Sequence, residues 1–168
     1  FNDATLQMPV YEYNRTAKNK MASSTTTNGD FEVLQHLTTY KANSLATSTI
    51  GARVFLFVAQ SESVDMDRTF QDHQTQVWLF CIVRNIFLKH QTLDHVALNT
   101  PKRTLTTFGD GKSGDGQYYL FETSTLEEMA CVVHKFDESS GLWSHFQTIT
   151  HASKGWQGVV PFYLRGLT

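Results

Sequence analysis

Short apolar runs alternate with polar, turn-forming stretches along the whole chain. VYEY (10–13), FEVLQHL (31–37), GARVFLFVA (51–59), VWLF (77–80), FLKHQTL (87–93), GQYYLFETS (116–124), VHKF (133–136) and WSHFQTI (143–149) each have the length of a strand. They are rich in β-branched and aromatic residues, which suit a pleated surface. Gly, Asn, Asp and Ser punctuate the intervals. STLEEMACVV (124–133) has some helical propensity, but it runs into a β-branched stretch and reads as loop, then strand. The pattern predicts an all-β chain without an amphipathic helix.

Three of these runs share a motif. An aromatic residue (Phe31, Phe87, Trp143) is followed four places later by Gln35, Gln91 or Gln147, and then by Leu or Ile. The three glutamines stand 56 residues apart. A V-x-x-[FY] run precedes each aromatic, and another apolar run follows the first two glutamines. The third unit reaches only GVVPFYLRGLT (158–168). The units are approximately 1–60, 61–124 and 125–168, each of about four short strands, with a split blade at the termini. Four-stranded repeats of this length are what propeller blades are made of. Strict alternation puts residues four apart on one face of a strand, so ring and amide are expected to share a face in every unit. The ring would fill the gap between neighbouring sheets. The amide, with two donors and an acceptor, would satisfy backbone groups of a connecting loop, each costing about 1–3 kcal/mol if buried unpaired.

The order V-x-x-[FY], then [FW]-x-x-x-Q-x-[LI], then a short apolar strand resembles the EAR repeat, also called the epitempin or EPTP repeat. The clearest copy is VVHKFDESSGLWSHFQTITHASKGWQGVVPF (132–162), and the resemblance extends over nearly the whole chain. It implies a β-propeller, usually of seven blades, in extracellular proteins such as the leucine-rich glioma-inactivated proteins. There the propeller is a platform for protein partners. Some members hold calcium in the central channel through aspartates. The corresponding segments here, NSLATSTI (43–50), NTPKRTLTTF (99–108) and SKGWQGVVPF (153–162), carry no Asp or Glu, so no metal site is carried over. Three units do not close a ring, because closed propellers have at least about four blades. Further copies, companion chains or the rest of a longer polypeptide would complete it. Two copies would give about six blades, with the split blade mended between chains and its sheet edges covered.

Composition narrows the function. The 168 residues are 40% hydrophobic and 18% charged, with a net charge of −2 and no Lys/Arg run, which argues against nucleic-acid binding. No apolar run approaches a membrane span. No signal peptide or initiator Met is present, so the chain reads as a processed product or a piece of a longer protein. The sequon at Asn14, Arg15 and Thr16 is compatible with glycosylation on a surface loop of a secreted protein.

Most candidate chemistry fails on spacing. FGDGKSGDGQYY (108–119) has Thr106 where a phosphate loop needs Gly, Asp115 where a nucleophile elbow needs Gly, Gln117 where the Asp-box of sialidase-type propellers needs Gly, and Lys112 where an EF-hand needs Asp or Asn. It reads as a Gly-rich loop, with a weak calcium candidate in Asp110 and Asp115. The histidines, including His90, His95, His145 and His151, fit no zinc frame. Cys81 closes one strand, while Cys131 opens the equivalent strand of the next unit, so the two are expected to lie too far apart for a disulfide. Glu127 with Glu128, and Asp65 with Asp67, read as solvated loop charge, and the polar connection 61–76 as a partner-facing loop. The expected function is a non-enzymatic extracellular propeller module for protein recognition or assembly, without a cofactor. Trp156, Arg103 and Arg165 are the candidate partner anchors. The alternatives are a glycan-binding lectin, a polymerising structural protein and, further off, a propeller hydrolase of glycans.

Overall fold

The structure, a computed structural model, describes residues 6–13, 31–39, 42–60, 74–94, 103–109, 116–124, 130–150 and 159. Among these the chain is all-β. It forms ten strands: β1 (Leu6–Tyr13), β2 (Phe31–Thr39), β3 (Ala42–Ile50), β4 (Arg53–Gln60), β5 (Gln74–Cys81), β6 (Ile86–Asp94), β7 (Arg103–Gly109), β8 (Tyr118–Ser124), β9 (Ala130–Asp137) and β10 (Leu142–Thr150). Every pairing is antiparallel. β1 and β2 form a hairpin, and two four-stranded sheets follow in the orders β3-β4-β5-β6 and β7-β8-β9-β10. Asp110, Asp115, Asn14, Trp156 and Arg165 lie outside the described residues.

The tight connections explain the turn residues. The β5–β6 turn ends on Asn85 at φ 53° and the β9–β10 turn on Gly141 at φ 72°, 56 positions later. Both backbones are left-handed there, a region that Gly and Asn enter at least cost. In the second turn Gly141 N–H donates to the Asp137 carbonyl at 2.8 Å.

The sheets stack face to face. Between the hairpin and the first sheet, Leu37, Met8 and Val10 pack on Leu56, Val58, Trp78 and Phe87. Between the two sheets, Phe55, Phe57, Ala59, Val77 and Leu93 meet Leu105, Tyr118, Leu120, Phe136 and Trp143. β4 is therefore covered on both sides, and its last six residues are all buried. Odd positions face the second sheet and even positions face the hairpin, as the pleat requires. Burying a side chain of this size stabilises by roughly 1.5–3 kcal/mol, so β4 anchors both interfaces. The first strands of the two sheets also meet. Leu105 N–H donates to Ser44 Oγ at 3.0 Å, and Thr107 Oγ1 donates to the Thr47 carbonyl at 2.7 Å. Side chains thus bridge two strand edges that would otherwise be open.

Candidate functional site

The repeated amide joins each sheet to the next. Gln35 Nε2 donates to the Phe87 carbonyl at 2.9 Å, and Phe87 N–H donates to Gln35 Oε1 at 2.7 Å. Gln91 repeats this with Trp143, at 2.7 and 2.9 Å. Each glutamine side chain imitates a peptide group and clasps the main chain of an aromatic 52 residues later. The partner is strand backbone, where the sequence suggested a connecting loop. Phe87 and Trp143 are the second residues of their strands.

The expected sharing of a face by ring and amide is corrected by a β-bulge. In β1–β2, Val10 registers with Gln35 but Tyr11 with Val33. In β5–β6, Val77 registers with Gln91 but Trp78 with Lys89. In β9–β10, Val133 registers with Gln147 but His134 with His145. One extra residue, Leu34, His90 or Phe146, is thus inserted immediately before each glutamine, so that two residues oppose one. The insertion shifts the alternation by one step. Ring and amide then leave opposite faces: Phe87 and Trp143 point to the preceding sheet, and Gln35 and Gln91 point to the following one. The inserted His90 also reaches forward, with Nε2 2.9 Å from the Gly141 carbonyl and its ring 5.9 Å from Phe55.

The ring of the third unit enters an aromatic seat, whereas Phe87 packs on Met8, Val10 and Leu37 of the hairpin. Trp143 stands edge-on to Phe57 at 4.9 Å and to Phe55 at 5.8 Å, and lies 5.3 Å from Phe136. Edge-to-face geometry of this kind adds about 0.5–1.5 kcal/mol per pair beyond area burial. The second sheet carries the same seat: register places Tyr119 opposite Lys135 and Phe121 opposite Val133, as Phe55 stands opposite Leu79 and Phe57 opposite Val77. The sequence shows the two strands as recurring apolar runs, but not that their rings form equivalent seats, since their spacing, 64 residues, differs from that of the glutamines.

Both terminal faces expose apolar side chains among the described residues. On the hairpin, Tyr11, Phe31 and Val33 are exposed, Phe31 at 62%. On β10, Phe146 is 53% exposed, and Gln147 and Ile149 are exposed with it. Phe146 lies against Tyr119 (5.6 Å) and under Lys135 Nζ (5.7 Å), on the face opposite Trp143. A third apolar point is the β5–β6 turn, where Ile82 is exposed and Val83 is 94% exposed.

Arg103 does not stand where a partner anchor must. It is only 3% exposed, its Nη1 lies 3.7 Å from Glu122 Oε2, and it donates to the carbonyls of Gln60 and, at 3.3 Å, of Gln74. Its guanidinium ties the β4 and β5 ends of one sheet to the other. Burial pushes its pKa below the ordinary value, against the pull of Glu122. Burial likewise pushes the Cys131 thiol up to about 11, with Glu122 adding to the shift. Both cysteines are free. Among the described residues no cluster of three or more His, Cys, Asp or Glu is placed to hold a metal, and no helix is long and apolar enough to cross a membrane.

Compared with known protein families, curated proteins and solved structures, the chain matches none.

Proposed function

We propose that the chain is a non-enzymatic propeller segment of the EAR type that works as an extracellular protein-recognition module. The observation that carries this reading is the repeated unit itself: a bulged hairpin whose amide clasps the next unit and whose ring packs on the one before. Stacked four-stranded sheets joined in this way fit a reading as consecutive blades. The resemblance of the repeats and the sequon at Asn14 support an extracellular setting.

The contact with a partner is placed at the β5–β6 turn. Exposed Ile82 and Val83 sit side by side beside Arg84, at the tip of a hairpin closed by the Arg84 N–H donating to the Cys81 carbonyl. Arg is enriched at protein interfaces, whose fully buried core is apolar. The test is binding of the fluorescently tagged chain to cell surfaces, comparing wild type with Ile82→Ser/Val83→Ser. Saturable binding lost in the double variant, with unchanged circular dichroism, supports the assignment. Equal binding by both proteins would remove this turn as the contact.

A further inference from the structure

The first four-stranded sheet has β3 and β6 as its edge strands, and the second has β7 and β10. An edge strand turns part of its main-chain N–H and C=O groups away from its own sheet, where they can template a strand of another molecule. Each of these edges has such a group taken by a side chain of the neighbouring sheet or hairpin. On β7 the Leu105 N–H donates to Ser44 Oγ, and on β3 the Thr47 carbonyl accepts from Thr107 Oγ1. On β6 and β10 the capping is complete at one residue: Gln35 takes both main-chain groups of Phe87, and Gln91 takes both of Trp143. Each amide thus brings to the edge the donor and the acceptor that an added strand would bring.

The bulge completes the protection. It breaks the register of β6 at His90 and of β10 at Phe146, which leaves 86–89 and 142–145 as the regular stretches before it. The capped residue stands inside each of those stretches. In 86–89 an exposed Lys89 accompanies it, a charge of the kind that keeps edges apart. In 142–145 no Asp, Glu, Lys or Arg does. We propose that the repeated glutamine is an edge guard, and that with Gln91 removed the stretch 142–145 pairs antiparallel with the same stretch of a second copy of this chain. The occupant follows from the strand itself: two identical uncharged edges meet about a two-fold axis, each supplying what the other lacks. The guard acts on the lateral edges of the sheets and holds whether or not the sheets belong to a closed ring.

The experiment follows mass by sedimentation velocity over a concentration series, and amide hydrogen exchange of 142–150, well below the melting temperature. Wild type is compared with Gln91→Leu, with Gln91→Leu/His145→Lys and with Val77→Ala. His145 is exposed, and His145→Lys puts a charge where β6 has Lys89, 56 positions earlier. Val77→Ala loosens the buried β5 without touching an edge. The expected result is that Gln91→Leu about doubles its mass relative to wild type as concentration rises, with slower exchange in 142–145. His145→Lys in that background should return the wild-type mass without returning the melting temperature. Val77→Ala should keep the wild-type mass although it melts earlier. Gln35→Leu/Lys89→Thr strips both guards from 86–89 and repeats the test on β6, with the same change in mass expected. Wild-type mass for both edge variants at every concentration overturns the proposal. Self-association of Val77→Ala, or of the His145→Lys double variant, to the extent seen for Gln91→Leu overturns it too, since lost stability would then be the cause.

Discussion

Trp143 is the largest fully buried side chain among the described residues; it meets three rings, and its main chain is held by Gln91. Trp143→Ala is expected to cost about 3–5 kcal/mol in chemical denaturation. Trp143→Phe should cost less than about 1.5 kcal/mol, because the other two units use Phe and the indole Nε1–H is buried without an acceptor. A loss as large as that of Ala would show that indole shape, rather than ring stacking, fixes the seat. Asp137 acts at the surface. Its carboxylate accepts from Ser139 N–H at 3.0 Å and from the hydroxyls of Ser139 and Ser140 at 2.8 Å each, which lowers its pKa. A folded-state pKa held below its unfolded value stabilises above the ordinary carboxylate range, and that stabilisation is lost as pH falls through the lowered value. Asp137→Asn should therefore lower the melting temperature at neutral pH, with the gap to wild type closing in acid as pH falls through the lowered value. A gap that persists there would assign the effect to turn shape.

At the scale of the element, the bulged hairpin is the unit of construction. Gln91→Leu removes two hydrogen bonds and leaves the Trp143 N–H and carbonyl partly buried without partners, so a loss of about 2 kcal/mol is expected in urea unfolding. Gln35→Leu should match it. A loss below about 0.5 kcal/mol for both would mean that water replaces the amide freely. Strands and turns were legible in the sequence because alternation and Gly or Asn punctuation are local signals. The glutamine and its ring were legible as a repeat. Their faces were not, because the inserted residue is Leu34, His90 or Phe146, three different types with no shared signature for a bulge, and a bulged strand keeps the same sequence spacing as a regular one.

Across the whole molecule, the Arg103–Glu122 pair is the buried electrostatic tie. Glu122→Leu would take the carboxylate away from the buried guanidinium, with a loss of about 3–5 kcal/mol in equilibrium unfolding. The same change removes the negative charge that raises the Cys131 pKa, so the thiolate should form at lower pH, read by thiol alkylation across a pH series. An unchanged alkylation profile would place Glu122 too far from the sulfur to matter. This tie was not legible. RTLTTF (103–108) reads as an ordinary half-exposed strand, and only the approach of β8 and of the β4 and β5 ends buries its first residue. Arg103 looked like a surface anchor because burial of a long cation depends on contacts 19 to 43 residues away.

The inserted residue before each glutamine gives the unit a direction. Without it, ring and amide would leave the same side, and two units could pair only as mirror-like partners, front to front. With it, each unit accepts on one side and donates on the other. Copies added by gene duplication would therefore fit without any new contact having to evolve. Such an array has no built-in number. Its length is set by where curvature brings head back to tail, and loss of a single residue such as His90 would reverse one unit against the grain of all the rest.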